Sequence, residues 1–433
     1  MESQDNVRKR SILSAIFLVA GTCVGGGMLA LPVATGVSGF FPSIAIMLIC
    51  WLAMTVTALL LIEVSLWMEE GVHLISMTAR ILGAPGKIVS WFLYLFICYA
   101  SLIAYTAGGG VQVALAINDY FNIPMLKEYG AILFIVVFGS VIYFGSRIVG
   151  RVNAVLFTAM VAAYFALVGL GAHEVKSDLL FHHQWSGSLM AVPLLLTAFS
   201  FQTMVPSLTP YLKSNVKALR WAVIGGTTVA FVIYAVWQSL ILGIVPVEGT
   251  NGLAEALARG EPATQFLREH VEGRWISNIA EYFAFFAIVT SFLGIALGLF
   301  DFLADGLKIK KEGVGKLTLG ILIVVPTIIC ATQFERVFLV ALEISGGFGD
   351  SILNGIIPVL MVWIGRYHLN LGKDSQFRLP GGKVLLSFVF VFFLCTLSLE
   401  IYMQTSPSVA LYEPFEVPVH NIIEADKLRK LEG

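Results

Sequence analysis

The sequence predicts an all-α polytopic membrane protein with about eleven transmembrane helices. Three observations lead there. Of the 433 residues, 58 % are hydrophobic and only 13 % are charged, whereas a soluble globular domain carries roughly 25 % charge. Eleven apolar runs can each cross a bilayer, for which about 20 residues at 1.5 Å per residue suffice. Two of those runs, the first and the sixth, are interrupted near their centres by glycine, proline and polar residues.

The runs lie at about 12–35, 41–68, 86–117, 129–145, 150–171, 189–212, 216–245, 275–307, 315–333, 335–367 and 383–404. Several exceed 25 residues, so tilt or breaks are expected. Residues 1–11 are polar and basic, and the tail 405–433 is polar and carries Pro407, Pro414 and Pro418. The basic start followed by an apolar run mimics a signal peptide, but the run is too long and many spans follow. Residues 73–82 alternate in a short amphipathic pattern, and 252–272 read as two short surface helices. The latter segment is read as either a cap over a vestibule or a solvated loop.

Orientation follows from counting. With the N-terminus inside and the sides alternating, inside segments hold 18 of the 27 Lys and Arg residues and outside segments nine. That bias favours a cytoplasmic N-terminus and, with an odd number of spans, a periplasmic C-terminus. The five cysteines fall in apolar runs and suggest free thiols, with no metal-ligand spacing. His182-His183 is no metal site on this reading, and no basic domain offers itself to nucleic acid.

The first run contains Gly21-Thr22-Cys23-Val24-Gly25-Gly26-Gly27-Met28-Leu29-Ala30-Leu31-Pro32. Each glycine costs about 1 kcal/mol in a helix interior, so the triplet invites unwinding. Unwound backbone survives at membrane depth only where it is buried in protein or lines a cavity. A glycine face packed on a neighbouring helix is the other reading. The sixth run holds Phe199-Ser200-Phe201-Gln202-Thr203-Met204-Val205-Pro206. It lies five spans after the first, so it enters from the opposite side. Two discontinuous helices at matching positions of inverted halves point to a secondary transporter with its site between them.

Such a break offers both charges of an amino acid a partner. N–H groups and the helix dipole around Gly25, Gly26 and Gly27 favour a carboxylate. Carbonyls around Gly21 and Thr22 favour an ammonium. Cys23 and Met28 complete the stretch. Phe199, Phe201 and Tyr105 are candidates to wall an apolar side-chain pocket, and Gln202 to bond a hydroxyl or indole N–H.

The residues Gly21-Thr22-x-x-Gly25-x-Gly27-Met28-Leu29-Ala30-x-Pro32 resemble the first-helix motif of the bacterial hydroxy/aromatic amino acid permeases. Leu59-Leu60-Leu61-Ile62-Glu63-Val64, Thr290-Ser291-Phe292-Leu293-Gly294 and Leu299-Phe300-Asp301-Phe302-Leu303-Ala304-Asp305 are similar to that family too. The resemblance covers residues 8 to about 404. The Met-Leu-Ala ending is nearer the tyrosine-specific branch than the tryptophan or serine/threonine branches. The resemblance implies a LeuT-type five-plus-five inverted repeat, with units 12–171 and 189–367 and an added helix 383–404. It also implies proton-coupled uptake of an aromatic amino acid, tyrosine foremost, across the bacterial inner membrane. Gly26 departs from the family, which usually has alanine there, and the tail is longer.

A charge at a helix centre costs about 2.5–3.5 kcal/mol on the insertion scale and tends to be functional or paired. Every histidine falls in a loop, which leaves carboxylates, and Glu63 and Glu343 are the candidates to carry the coupling proton. Glu281 and Glu400 lie near outer ends, where solvation is expected. In sodium-coupled relatives of the fold, a hydroxyl pair at the place of Thr290 and Ser291 faces span-one carbonyls and binds sodium, so sodium coupling stays open. In those relatives an N-terminal arginine also pairs with an acid at the base of the eighth helix. Arg8 or Arg10 with Asp305, and Asp301 beside it, is the inner gate expected here. The sequence has no Walker, HExxH or GxSxG motif, which argues against a pump or an intramembrane enzyme. A non-transporting amino-acid sensor is the rival class.

Overall fold

The computed structural model describes residues 2–69, 72–271, 274–334, 336–372 and 377–406. Among them the only β pairing is an isolated bridge between Gly39 and His183. Everything else regular is helical, as membrane burial requires: a helix satisfies its backbone polar groups within itself.

Helix α1 spans Glu2–Cys23. It stops at the glycine cluster, and a 3-10 turn Gly26–Ala30 leads into α2, Leu31–Gly36. The two pieces, Ile12–Cys23 and Gly26–Gly36, meet at 49°. Next come α3 (Phe40–Ser65) and α4 (Leu74–Phe121). Within α4, Gly83 leaves helical geometry at φ +72°, which separates the short amphipathic lead from the span. Helices α5 (Lys127–Tyr143), α6 (Ser146–Gly171) and the short α7 (Ser177–Leu180) follow.

The sixth span is broken too. Helix α8 (Val192–Ala198) ends before Phe199, a 3-10 turn covers Gln202–Met204, and α9 (Val205–Tyr211) continues. Then come α10 (Val216–Ile244), α11 (Leu253–Arg259), α12 (Arg274–Leu307) and α13 (Gly313–Gln333). The tenth span has an unexpected form. Helix α14 (Val337–Ile344) widens into a π-helix, Ser345–Ile356, before α15 (Ile357–Tyr367) resumes. The glycines Gly346, Gly347, Gly349 and Gly355 lie in that wide stretch. Helix α16 (Gly382–Thr405) is the last.

Among the described residues, nine stretches, the broken sixth span included, are long and apolar enough to span a membrane, and the bent first pair makes ten. The expected span at 129–145 forms α5, whose 17 residues measure about 26 Å, near the short end of a span. The protein is multi-pass, with a LeuT-type fold. Its pairings exchange between halves: α1 lies along α10 and α9 along α3, while α6 lies along α12 and the π-helix along α4.

Burial sorts the spans. The sixth and tenth are 67 % buried and α12 61 %, against 22 % for α6 and α13 and 28 % for α16. The broken helices are therefore central. Exposed apolar side chains such as Val155, Phe165, Val384 and Phe388 lie on the peripheral spans. At one end, α11 and a 3-10 turn over Ala263–Glu269 pack on α2 and α12. Leu253, Ala263, Phe266 and Leu267 are buried there, so the described part of the segment, 252–271, is a packed cap rather than a solvated loop. The tail 407–433 lies outside the described residues.

Candidate functional site

The two breaks lie side by side. Tyr234 on α10 holds them together, its hydroxyl 2.6 Å from the carbonyl of Cys23 and 2.7 Å from that of Ala198. Thr22 reaches the other side of the sixth span, 3.1 Å from the sulfur of Met204. One turn along α10, Trp237 Nε1 donates to the Met28 carbonyl at 3.1 Å, and Gln238 Nε2 donates to Thr35 Oγ1 at 2.7 Å. Carbonyls that unwinding would orphan thus find buried donors. Tyr234 and Trp237 are fully buried. Neither stands out in the sequence, because a Tyr and a Trp in an apolar run equally suit a lipid interface.

Between the breaks lies a cavity of about 400 Å³, within the usual range for small-molecule sites. Gly21, Thr22, Cys23, Gly25 and Gly27 line it, with Tyr105, Thr290 and Ser291. Its exposed rim includes Thr22 and Gly294, and it extends past Tyr94 and Gly298 toward the end where α12 finishes. The cap of α11 closes the opposite end.

Glycine at 25 and 26 is a matter of space. A Cβ on Gly25 would lie 2.2 Å from Ser291 Oγ, and one on Gly26 2.6 Å from the Tyr105 ring. The Gly26 N–H donates to Ser291 Oγ at 2.9 Å. The Tyr105 hydroxyl sits beside Ser291 and the Gly27 N–H. Thr290 donates to the Phe286 carbonyl of its own helix at 2.8 Å. The hydroxyl of Ser291 therefore meets a span-one N–H, where the sequence suggested carbonyls.

Other expected site residues stand apart from the cavity. Phe199 is buried edge-on against Tyr234, with ring centroids 5.1 Å apart, and Phe201 is buried as well. Gln202 serves the break itself: its Oε1 accepts the Phe201 N–H at 2.9 Å and its Nε2 donates to the Met54 carbonyl at 3.1 Å. Met28 is buried behind the wall. The aromatic side chains that do line the cavity are Tyr94, Tyr105 and Phe157.

The carboxylates also distribute differently. Glu63 accepts two bonds from Arg366, at 2.7 Å from Nε and 2.5 Å from Nη2, and one from the Leu379 N–H at 2.8 Å. This buried pair staples α3 to α15 away from the cavity. Glu343 lines a separate space of about 110 Å³ with Arg336, Met403 and Gln404. Glu400 is fully buried rather than solvated: it lies against Gly347 of the π-helix and accepts from Gln404 Nε2 at 2.9 Å. Asp301 and Asp305, in the last turns of α12, pair at 2.8 and 3.7 Å with Lys311 of the exposed turn that follows. That hydrogen bond from Lys311 to Asp301 raises the lysine above its ordinary pKa. The side chains of Arg8 and Arg10 lie outside the described residues.

One carboxylate does line the cavity. Asp350, on the π-helix, is fully buried with Ser200 and Asn354 around it. It is absent from the sequence-based candidates, although a charge at the centre of the stretch Val337–Tyr367 is the signal that intramembrane cost provides.

The site has known counterparts. The model of the tryptophan/tyrosine permease family matches residues 8–400. The chain is 29 % identical over 412 residues to the tyrosine-specific transport system 1 of Haemophilus influenzae, covering 94 % of this chain and 99 % of that one. It is 27 % identical over 407 residues to the tryptophan-specific transport protein of the same organism, covering 90 % and 96 %. The crystal structure of MhsT in complex with L-phenylalanine superposes with a TM-score of 0.63 at 14 % identity, covering 89 % of this chain and 97 % of MhsT. At that identity the likeness concerns the fold. The chain belongs to the tryptophan/tyrosine permease family and is a multi-pass membrane transport protein, not an enzyme.

Proposed function

We propose that this protein imports an aromatic amino acid, tyrosine foremost, by proton symport with alternating access. The observation that carries the reading is the meeting of both broken spans on one cavity, tied by Tyr234. The relatives named for tyrosine and tryptophan transport support the substrate class. The substrate's polar end sits against Gly21, Thr22, Cys23, Gly25 and Gly27, and its ring against Tyr105 and Phe157. The five-span units 12–171 and 189–367 rock about this site.

The Lys and Arg bias supports a bacterial inner-membrane protein with a cytoplasmic N-terminus and a periplasmic C-terminus. In that orientation the cavity faces the cytoplasm and the α11 cap closes the periplasmic side. One charge moving down 100 mV supplies about 2.3 kcal/mol, enough for roughly 50-fold accumulation.

The test is uptake of labelled tyrosine into sodium-free proteoliposomes, with and without an inward proton gradient. Accumulation with the gradient alone is expected. Equilibration without accumulation, followed by accumulation when sodium is added outside, overturns proton symport. The second reading, sodium symport, rests on Thr290 and Ser291 lining the cavity beside the first break. Against it, the Gly26 N–H already takes one of the two lone pairs of Ser291 Oγ, and Thr290 donates to its own helix.

A further inference from the structure

We propose that Asp350 takes up the coupling proton as an acid–amide pair with Asn354, and that Ser200 carries the change to the break of the sixth span. This rests on the proton-symport reading above.

The geometry is specific to one protonation event. Asp350 Oδ1 accepts from Ser200 Oγ at 2.6 Å and from Asn354 Nδ2 at 2.6 Å. Asp350 Oδ2 and Asn354 Oδ1 are both buried without a hydrogen-bond partner among the described residues. Each orphan is an acceptor. A carboxylate cannot supply a donor to the amide, and the amide oxygen cannot supply one to the carboxylate. One proton on Oδ2 repairs both. The acid O–H then donates to the oxygen of the amide whose Nδ2 already donates to Oδ1. A buried polar atom left unpaired costs about 1–3 kcal/mol, so the arrangement favours the protonated state by satisfying two atoms at once.

No cation competes for the carboxylate. Among the described residues, no Lys, Arg or His nitrogen lies within 4.0 Å of it. On the elements packed around this π-helix, the titratable groups that line the cavity with Asp350 are Tyr94, Cys98 and Tyr105 of α4, while Glu343 on α14 and Glu400 on α16 lie outside its lining. The cations on those elements, Arg80 and Lys87 on α4, Lys383 on α16 and Arg366 on α15, do not line it either, and Arg366 is held by Glu63. Thr197 stands nearby, but its hydroxyl donates to the Leu342 carbonyl at 2.7 Å. An unpaired carboxylate at mid-span is costly, and a proton is the neutralising partner within reach of the cavity.

The position couples the proton to the transported molecule. Ser200 lies in the non-helical segment between α8 and the 3-10 turn, on the same cavity wall as Asp350. Its hydroxyl also accepts from Asn354 Nδ2 at 3.1 Å. When the proton leaves, Asp350 becomes an anion and pulls the Ser200 O–H toward itself. When the proton binds Oδ2, Oδ1 becomes a neutral carbonyl oxygen and its hold on that hydroxyl weakens. The break is therefore tied to Asp350 strongly or weakly, as one proton decides. The π-helix supplies the place: such widened turns concentrate at functional sites.

The experiment uses the full chain in proteoliposomes, wild type beside Asp350→Asn and Asp350→Glu. It reads tyrosine exchange at equal pH, accumulation under an inward gradient of one pH unit, and proton influx by an internal dye. With one proton per substrate the wild type accumulates up to about tenfold. Asp350→Asn is expected to exchange at near wild-type rate, to accumulate nothing and to move no protons with tyrosine. Asp350→Glu is expected to regain gradient-driven accumulation with a shifted pH dependence. Accumulation by Asp350→Asn at the wild-type level overturns the assignment.

Should Asp350→Asn lose exchange as well, tyrosine binding to the purified variant decides. Lost binding makes Asp350 a substrate ligand and overturns the assignment. Retained binding, with proton-driven recovery in Asp350→Glu, supports it. A wild type that accumulates nothing under the gradient defeats the symport reading itself, which separates that failure from failure of the residue.

Discussion

Placing a methyl group on Gly25 tests whether the first break is the binding site. In Gly25→Ala the new Cβ falls 2.2 Å from Ser291 Oγ. An ordinary C···O contact is about 3.3 Å or more, so backbone or side chain must yield by about 1 Å. Overpacking of this kind costs typically 1–3 kcal/mol. The Gly26 N–H to Ser291 bond at 2.9 Å is lost with it, for about 1 kcal/mol more. If half of that falls on the bound state, affinity drops roughly 5- to 30-fold.

The structure also specifies the rescue. The same Cβ lies 3.5 Å from Ser291 Cβ, an ordinary van der Waals distance. Gly25→Ala/Ser291→Ala therefore relieves the clash and is expected to bind better than Gly25→Ala alone, though below wild type. The assay is equilibrium binding of labelled tyrosine to purified protein, with tyrosine counterflow as a second readout. Unchanged affinity in Gly25→Ala, or a double variant no better than the single, refutes the reasoning.

Three further outcomes are expected. Tyr234→Phe leaves the buried carbonyls of Cys23 and Ala198 without their shared donor. A loss of about 1–3 kcal/mol should appear as a lower melting temperature in detergent, with Trp237→Leu behaving similarly. Glu63→Ala strands Arg366 and should cost about 3–5 kcal/mol. Glu63→Ala/Arg366→Ala should cost less than the two single changes combined and retain proton-driven uptake; loss of proton coupling with exchange intact would return Glu63 to the proton path. Burial raises the Glu261 carboxyl above its ordinary value of 4.5, against the opposing charges of Arg259 and Lys127. Its ionised form is the one folding disfavours, so its contribution to stability is full below pH 4.5 and is lost as pH rises through the folded value. Melting temperature measured across that window should fall less with pH in Glu261→Gln than in wild type.

Local chemistry is read well from the chain. Glycines at 25–27 and the Ser-Phe-Gln-Thr run at 200–203 are poor helix and cannot lie unwound in lipid, so both breaks and their burial follow from backbone physics. Thr290 and Ser291 line the cavity, as the likeness of the eighth span to relatives of the fold leads one to expect. Side-chain direction around a break is another matter. Phe199, Phe201 and Gln202 sit where φ and ψ depart from any regular period, so spacing says nothing of where they point. Gln202 turns out to cap its own backbone, at Phe201. Glu63 looks like a proton carrier until Arg366, 303 residues away, is seen to hold it at 2.7 Å.

The sequence by itself determined the solvent of this protein, its helical class, its broken first and sixth spans and its family. Each of these depends on composition, on apolar length or on local backbone preference. Only the tertiary structure decided which carboxylate lines the cavity, which phenol joins the breaks, and that segment 252–271 is a cap. Those facts depend on contacts between residues such as Asp350 and Ser200 or Tyr234 and Cys23, 150 and 211 positions apart. A π-helical turn adds to this by rotating Asp350 out of the 3.6-residue register from which a face could be read.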